Sequence, residues 1–396
     1  MQILTNIFKP TATSFLLLLL LFFIQPMISI VIIAIYLPLI YKENKIYSHL
    51  LFFIIIAFVI FVNATKIPQA DLNVYYHWFE ELKGLSFLDA LKVKATDPIF
   101  TYITSILTIF YYNKVFIIFW NGITVLFMYF SVLKVNKFIG NKDFICAQLF
   151  MMIFYFVQPE HISHTTRAFA SVSCMILGYC LFLESKKTLA IIFVIFSIGI
   201  HSSSILLLGL FLGSRLCIPF LIFSLFVGYA NVSNFITLLS SFLNISFITE
   251  QVNYYQYRSS DTEQYVVTSY QMFIFYIELF VVLLMYIYNK IKIFSSEVKI
   301  LLSSYIYVGS LIILFHKVPL FSVRMYLYHN YFFCLCLSVF WFFTIRKANK
   351  YIKLLIGLLL CCVSLLLYLY KFNYNTQWIF LFYNNIFASF YQMVLM

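Results

Sequence analysis

The chain has 396 residues, of which 63% are apolar and 10% are charged, and its mean hydropathy is +0.96. Soluble domains usually carry about 25% charged residues, so the composition excludes an ordinary soluble domain. The formal net charge of +12 does not indicate nucleic-acid binding, because the lysines lie in short connections between apolar runs. Runs near the length of a bilayer crossing recur along the chain. They predict an all-α polytopic membrane protein with about 11–14 transmembrane or re-entrant helices.

The apolar runs define the predicted elements in chain order. The first follows Lys9 and resembles a signal peptide, but it lacks a small-residue cleavage site and is predicted to be an uncleaved span. The uncharged tail 372–396 is predicted to lie in or on the membrane. We expect residues 1–396 to form a single membrane domain. The predicted spans are 14–40, 50–63, 114–133, 144–158, 165–183, 188–200, 203–214, 216–248 (interrupted), 270–288, 299–315, 326–344 and 352–371.

Lysine placement predicts the orientation of these spans. Most lysines and arginines lie in short connections, which are therefore predicted to be cytoplasmic. These connections are 41–45, 133–142, 184–187, Arg215, 289–299 and 345–353. The opposite side collects most of the acidic residues. It comprises 64–97, 159–166, 249–269 and 316–325.

The segment 98–112 is too short to reconcile with a full crossing. As a helix it would extend about 22 Å, whereas a bilayer core is about 30 Å thick. It follows Asp97-Pro98, a typical helix start. We therefore predict a re-entrant half-helix that dips from the outer face. The preceding outer loop, 64–97, is predicted to contain an amphipathic interfacial helix.

Three arginines fall on the predicted outer side: Arg167, Arg258 and Arg324. The planar guanidinium fork suits phosphate oxygens, although an arginine near a membrane surface can also extend to lipid headgroups. Arg167 is predicted to lie about two turns into a helix that begins near Pro159. At that depth an arginine costs about 2.5–3.5 kcal/mol and is normally paired or functional. The sequence therefore predicts an anion-binding residue at the outer face.

Several histidines lie near these arginines. His161 and His164 are spaced i, i+3 beside Glu160, but without a further matching ligand they predict hydrogen bonding to sugar or phosphate rather than a metal site. His201 separates two short apolar segments, where a capping role and a site role both stay open. His316 and Lys317 share an outer segment with Arg324.

Acidic and aromatic residues in the first outer loop suit sugar binding. Asp71 lies close to Tyr75 and Tyr76, and Asp97 ends the loop. Aromatic rings can cover the apolar faces of pyranose sugars. Glu278 lies well inside an apolar helix, where it is either an internal hydrogen-bond partner or a member of the site.

Five short motifs in order resemble the EpsG-like and Wzy-type bacterial polysaccharide polymerases. Those proteins carry R-Y-x-x-G-x-D-x-x-x-Y-Y, E-P-G-F, R-x-x-x-A, F-H-x-S and E-R-x-x-x-Y. The counterparts here are Lys66 with Asp71, Tyr75 and Tyr76, then "DPIF" at 97–100, "RAFA" at 167–170, "IHSSS" at 200–204 and "VRMYLY" at 323–328. This chain departs from the pattern with Lys66 for Arg, Asp97 for Glu, Ile99 for Gly, and no Glu before Arg324.

The resemblance implies an architecture similar to that of O-antigen ligases and other glycosyltransferase-C enzymes. It also implies a multi-pass enzyme of the bacterial inner (plasma) membrane whose active site faces the periplasm. The substrate would be an oligosaccharide linked to undecaprenyl diphosphate. Membrane lipid and a chain-length regulator protein are further candidate partners, and no cofactor, metal or nucleic acid is expected.

In such a reaction an acceptor hydroxyl attacks the anomeric carbon and the lipid diphosphate leaves. Arginines can stabilise the departing negative charge, and a carboxylate or imidazole can take the proton. Asp71 is the first candidate base and His201 the second, with Arg167 and Arg324 as the principal cations. The substrate-binding candidates are Lys66, Tyr75, Tyr76, Asp97, His161, His164, Arg258, Glu278, His316 and Lys317.

Three other classes of protein stay open at this point. A flippase or transporter of lipid-linked oligosaccharide would also need cations facing a diphosphate, but should show internal two-fold symmetry. A membrane glycosyltransferase that uses polyprenyl-phosphate sugars would share the arginines and an acid in the outer loop. A scaffold protein would leave the outer cations unexplained.

Overall fold

The computed structural model describes residues 11–41, 44–64, 71–93, 97–141, 144–156, 165–212, 215–230, 267–291, 296–345 and 348–372. These residues form helices, turns and short connections, and no strand occurs among them. Six of the described helices are long and apolar enough to cross a membrane, namely Lys45–Ala64, Lys114–Phe138, Thr166–Leu183, Ser269–Tyr288, Ser296–Phe315 and Lys350–Tyr368. The predicted fold class, an all-α polytopic membrane protein, is confirmed.

The chain divides into two compact units. The first comprises Met1–Ser203 with Phe340–Met396. Its helices are α1 (Ala12–Ile24), α2 (Pro26–Ile40), α3 (Lys45–Ala64), α4 (Asp71–Glu81), α5 (Phe87–Val93), α6 (Pro98–Leu107), α7 (Lys114–Phe138), α8 (Ile145–Met151), α9 (Thr166–Leu183) and α10 (Lys187–Ile200). A π-helical turn, Met152–Phe156, extends α8.

The second unit comprises Ser204–Val339. A 3₁₀ helix, Ser202–Leu212, leads into it from the first unit. Its other helices are α11 (Cys217–Ala230), α12 (Ser269–Ile291), α13 (Ser296–Phe315) and α14 (Pro319–Ile345). The last of these returns the chain to the first unit, where α15 (Lys350–Phe372) follows.

The predicted span 14–40 is wrong as a single element, because two helices meet at Gln25. Gln25 has φ −142° and ψ 84°, and Pro26 is the first residue of α2. Proline lacks an amide proton and disfavours helical geometry in the preceding residue, so α1 ends here. The Ser29 hydroxyl donates to the Leu18 carbonyl at 2.9 Å and so ties α2 to α1.

The segment after Asp97 forms a short helix, as its sequence predicted. Asp97 precedes α6 with Pro98 at the first helical position, and a 3₁₀ turn, Thr108–Phe110, extends it. Tyr111 then adopts a left-handed conformation with φ 56°, which ends the helical run. Its re-entrant placement in the bilayer stays a prediction. Of the predicted outer loop 249–269, the structure describes only residues 267–269. Of the predicted tail 372–396, it describes only Phe372.

Small residues let α9 pack closely between α7 and α10. A Cβ atom on Gly178 would lie 3.1 Å from the Phe193 Cβ, so a larger residue there would push α10 outward. Ser171 and Ser197 exchange hydrogen bonds across the same interface. Each hydroxyl donates to the other residue's carbonyl at 2.8 Å. This pair of helices forms a well-packed support for the residues at their ends.

A cluster of charges closes the other end of α9. Glu184 Oε2 lies 2.7 Å from Lys134 Nζ and 3.5 Å from Lys186 Nζ. Burial acts to raise the pKa of Glu184, but the hydrogen bonds and charges of the two lysines outweigh it and hold the pKa below its ordinary value. The ionised carboxylate therefore links α7 to the turn between α9 and α10.

In the second unit, α13 packs against α11 and α12. A Cβ atom on Gly228 of α11 would collide with the Ile313 carbonyl of α13, so glycine permits this close approach. The Tyr307 hydroxyl donates to the Leu206 carbonyl at 2.5 Å, which ties α13 to the 3₁₀ helix.

Candidate functional site

The first unit contains a buried charged centre around Asp97. The Asp97 carboxylate accepts a hydrogen bond from an Arg167 guanidinium nitrogen, and the two form an ion pair. Asp97 is 2% exposed at its side chain and Arg167 is 14% exposed. Two opposite charges removed from water this far stabilise each other only when they are in direct contact. Asp97 and Arg167, which are 70 residues apart in the sequence, therefore form one ion pair at the centre of the site.

Histidine completes this centre on the other carboxylate oxygen. His201 Nδ1 lies 3.4 Å from Asp97 Oδ1, and the Ser202 backbone amide donates to the same oxygen over 3.4 Å. His201 ends α10 in an extended conformation and is 9% exposed at its side chain. Because Nδ1 faces the carboxylate, Nε2 is the ring nitrogen directed away from Asp97. This arrangement can orient an imidazole for proton transfer.

Three aromatic rings surround the guanidinium of Arg167. Its Cζ lies 4.9 Å from the ring centre of Trp78, 5.5 Å from that of Tyr75 and 5.6 Å from that of Phe100. Cation–π contacts of this kind contribute about 0.5–2 kcal/mol each. Tyr75 and Trp78 are one helical turn apart on α4, so they present one face. Packing against these rings leaves the Arg167 side chain 14% exposed.

Arg167 lies in the first turn of its helix, and the predicted position two turns from the start is wrong. The helix begins at Thr166, and Thr165 before it has φ −126° and ψ 40°. A cation near a helix N-terminus is disfavoured by the helix dipole. The Asp97 carboxylate offsets this cost, which explains why the two charges occur together.

The serine pair between α9 and α10 also supports His201. The Ser171 hydroxyl lies 3.3 Å from the His201 carbonyl, and the His201 amide donates to the Ser197 carbonyl at 3.0 Å. Ser171 and Ser197 are fully buried. The end of α10, and with it the imidazole, is therefore fixed by α9, the helix that carries Arg167.

Several of the other predicted site residues lie outside the described part of the chain. Tyr76 is buried on α4, and this burial raises the pKa of its phenol well above the ordinary value. Asp71 begins α4, but its side chain lies outside the described residues. Four more predicted residues are also outside them: Lys66, His161, His164 and Arg258.

In the second unit, two predicted residues complete helix ends. His316 Nδ1 lies 2.9 Å from the Ile313 carbonyl at the end of α13. Lys317 donates to the Tyr229 carbonyl at the end of α11, and its Nζ lies 5.3 Å from the Tyr229 ring centre. Cations are favourable at such C-terminal ends. Arg324 lies on α14 and is half-buried.

A second polar cluster connects three helices of this unit. The Tyr305 hydroxyl of α13 lies 3.4 Å from Glu278 Oε2 of α12 and 2.6 Å from His329 Nε2 of α14. His329 is fully buried, and its Nε2 lies 3.8 Å from Glu278 Oε2. Glu278 is therefore part of an internal hydrogen-bonded cluster, one of the two interpretations that its position in the sequence left open.

The family of the chain is decided by a comparison with known families. A family model described as the EpsG family matches residues 49–385. The chain belongs to the EpsG family. No curated protein and no solved structure matches it.

The match covers the whole charged centre of this EpsG-family protein, from the aromatic helix α4 to His201. Membership of the EpsG family indicates a polysaccharide polymerase-type function. The resemblance drawn from five weak motifs is thus confirmed at the level of the family.

Sequence reasoning identified Arg167, His201 and Asp97 in this EpsG-family protein but missed their partners. Trp78 and Phe100 contact the guanidinium, and Ser171 and Ser197 support the imidazole. The i, i+3 spacing of Tyr75 and Trp78 was the available signal for an aromatic face. The serines carried none, because serine is common in packed membrane helices.

Proposed function

We propose that this protein polymerises undecaprenyl-diphosphate-linked oligosaccharide repeat units at the periplasmic face of the bacterial inner membrane. The glycan of one unit would be transferred, through its anomeric carbon, to a hydroxyl of the next unit, and the lipid diphosphate would leave. The observation that carries the proposal is the joint contact of Asp97 with Arg167 and His201. It supplies a cation for the leaving group and an oriented base beside each other.

In the proposed reaction, Nε2 of His201 takes the proton from the acceptor hydroxyl. The hydroxyl oxygen forms a bond to the anomeric carbon, and the bond from that carbon to the diphosphate oxygen breaks with its electron pair. Asp97 holds the imidazole through Nδ1 and stabilises the imidazolium that forms. The carboxylate partner of His201 supports this residue as the base, whereas the Asp71 side chain lies outside the described residues.

Arg167 stabilises the departing diphosphate in this proposal. A guanidinium has five N–H donors, so it can hold a carboxylate and phosphate oxygens at the same time. The aromatic rings of Tyr75, Trp78 and Phe100 keep it fixed, and preorganised donors stabilise developing charge without a reorganisation cost. Lysine placement along the sequence supports the periplasmic orientation of this centre.

Deletion of the gene in its host tests the proposal at the level of the pathway. A polymerase defect should leave translocated lipid-linked units that carry a single repeat. A flippase defect should instead prevent any unit from reaching the outer face, and that result would replace the polymerase with the transporter hypothesis.

Purified protein in liposomes with lipid-linked single repeats tests the chemistry. Wild-type protein should produce a ladder of glycan lengths, and His201→Ala should abolish it at matched protein abundance. His77→Ala is a suitable control, because His77 is exposed and pairs only locally with Glu81 at 3.3 Å. A wild-type ladder from His201→Ala would remove His201 from the mechanism.

A further inference from the structure

Glu278 lies in a membrane-spanning helix whose surface is mostly exposed. Of the residues around it on α12, Tyr276, Ile277 and Phe280 are all exposed large side chains. An ionised carboxylate inside an apolar membrane helix is costly unless it is paired. The contacts of Glu278 therefore decide which protonation state the helix can hold.

Among the described residues, the neighbours of Glu278 supply no fixed positive charge. Among the residues that the structure describes, His329 is the one basic side chain within 4.0 Å of the carboxyl group. Tyr305 is its hydrogen-bond neighbour, and Tyr326 and Cys336 are the other titratable side chains close to Tyr305. This contrasts with Asp97 and Glu184 in the first unit, whose side chains are 2% and 12% exposed and contact an arginine and lysines, respectively.

Two proton arrangements can connect the three groups. In one, Glu278 is ionised, the Tyr305 hydroxyl donates to it, and His329 Nε2–H donates to the Tyr305 oxygen. In the other, Glu278 keeps its own proton, and the Tyr305 hydroxyl donates to His329 Nε2. Each arrangement satisfies the hydroxyl, so the distances must decide between them.

The distances favour the protonated carboxyl. A hydroxyl that donates to a carboxylate lies about 2.5–2.7 Å from it, because the charge shortens the bond. The Tyr305 hydroxyl lies 3.4 Å from Glu278 but only 2.6 Å from His329 Nε2. The hydroxyl proton is thus directed to the imidazole, and Glu278, whose side chain is 24% exposed, does not receive the short bond that a carboxylate in apolar surroundings needs.

We propose that Glu278, Tyr305 and His329 form an intramembrane proton-binding centre in which Glu278 carries the proton at neutral pH. The ligand of this centre is a proton, and Tyr305 connects the carboxyl group to the imidazole. The proposal goes beyond the polymerase reaction, which uses other residues. It also replaces the prediction that Glu278 binds substrate.

A lipid-soluble carbodiimide, dicyclohexylcarbodiimide, tests the protonation state directly. The carboxyl proton moves to a carbodiimide nitrogen, and the carboxyl oxygen bonds to the central carbon to give an O-acylisourea. The acyl group then migrates to nitrogen as an N-acylurea, and no atom is lost. An ionised carboxylate lacks the proton for the first step, so the reaction reports protonation.

The full chain in phosphatidylethanolamine–phosphatidylglycerol liposomes should be labelled at Glu278 at neutral pH. Peptide mass spectrometry should find about tenfold or more adduct there than at Asp97 or Glu184, which contact cations. Labelling should fall as the pH rises, since the centre then loses its proton. Glu278→Gln should remove this adduct and leave the rest of the peptide map unchanged.

Access of the reagent is controlled by Glu278→Cys, probed with a lipid-soluble maleimide. If that cysteine reacts while wild-type Glu278 gives no carbodiimide adduct at neutral pH, Glu278 is ionised and the proposal is wrong. Infrared spectroscopy gives a second measurement that needs no reagent. The spectrum of wild-type protein minus that of Glu278→Gln should contain the carbonyl band of a protonated carboxylic acid at neutral pH, and its absence would likewise overturn the proposal.

Discussion

Asp97→Asn separates the charge of Asp97 from its shape. Asparagine keeps the size of the side chain and one carbonyl oxygen, but it removes the negative charge that faces Arg167 and His201. Two effects should follow. The guanidinium loses its ion-pair partner in a nearly buried position, and the imidazole loses the carboxylate that orients it.

The effect on stability follows from the burial of the pair. Removal of one partner from a buried ion pair costs about 3–5 kcal/mol, because the other charge is left uncompensated. The Arg167 side chain keeps 14% exposure and three aromatic contacts, so we expect the lower end, about 3 kcal/mol. Unfolding titrations in mixed detergent micelles measure this difference. Asp89→Asn is the matched control, since exposed Asp89 contacts Lys92 and Ser86 on the protein surface, and it should leave the stability nearly unchanged.

The effect on activity should be larger than any stability loss accounts for. Loss of the carboxylate that orients a catalytic histidine reduces turnover by up to about 10⁴-fold in enzymes with this arrangement. We expect at least about a hundredfold loss of glycan polymerisation from Asp97→Asn. Ladder formation by folded protein at matched abundance in liposomes is the measurement.

A double-mutant cycle separates the pair from its members. Arg167→Gln alone should also destabilise the protein, but the double variant should be more stable than the sum of the single effects predicts, by about 1–3 kcal/mol. Activity should stay lost in the double variant. Additive stability effects within about 0.5 kcal/mol, or a wild-type ladder from Asp97→Asn, would refute the reasoning.

Three further predictions concern the surroundings of this pair. Arg167→Ala should reduce turnover about a hundredfold or more. Arg167→Lys should also reduce turnover despite normal membrane insertion, since an ammonium lacks the planar fork of a guanidinium. Glycan ladders at matched protein abundance measure both effects. Trp78→Leu should raise the KM for the lipid-linked unit about fivefold through loss of about 1 kcal/mol of cation–π stabilisation, and an unchanged KM would exclude that role. Ser171→Ala should lower kcat more than it changes KM, and the Ser171→Cys variant should recover part of the loss. Ser173→Ala, which removes only a hydrogen bond to a neighbouring carbonyl on the same helix, should leave kcat nearly unchanged.

The fold class could be predicted from sequence because the length and hydropathy of apolar runs identify membrane helices. The ends of α9 and α10 differ from the predicted spans, 165–183 and 188–200, by at most one residue. The break at Gln25 was missed, since the run from 14 to 40 carries no charged residue, and prolines such as Pro26 and Pro38 can also occur inside a membrane helix.

The site was harder to predict because its parts come from distant positions. Asp97 and His201 are 104 residues apart, and no local pattern states that they meet. Sequence reasoning preferred Asp71 as the base, since Asp71 lies among aromatic residues while the Asp-Pro at 97 is a common helix start. In the structure the Asp97 side chain makes no capping hydrogen bond to α6 and contacts Arg167 and His201 instead. Sequence reasoning therefore named Asp97 as a substrate-binding candidate but missed its joint contact with Arg167 and His201.

The pairing of Arg167 also bears on how the proposed reaction would gain its rate. A guanidinium beside a carboxylate forms a pair with no net charge, so its attraction for the diphosphate of a bound substrate is reduced. When the anomeric bond breaks, negative charge grows on the leaving oxygen while His201 takes a proton and becomes positive. Asp97 would then stabilise the imidazolium as well as Arg167, so the fixed guanidinium would be less fully neutralised and would interact more strongly with the departing diphosphate. The centre would thus bind the transition state more strongly than the substrate, which is the condition for a faster chemical step.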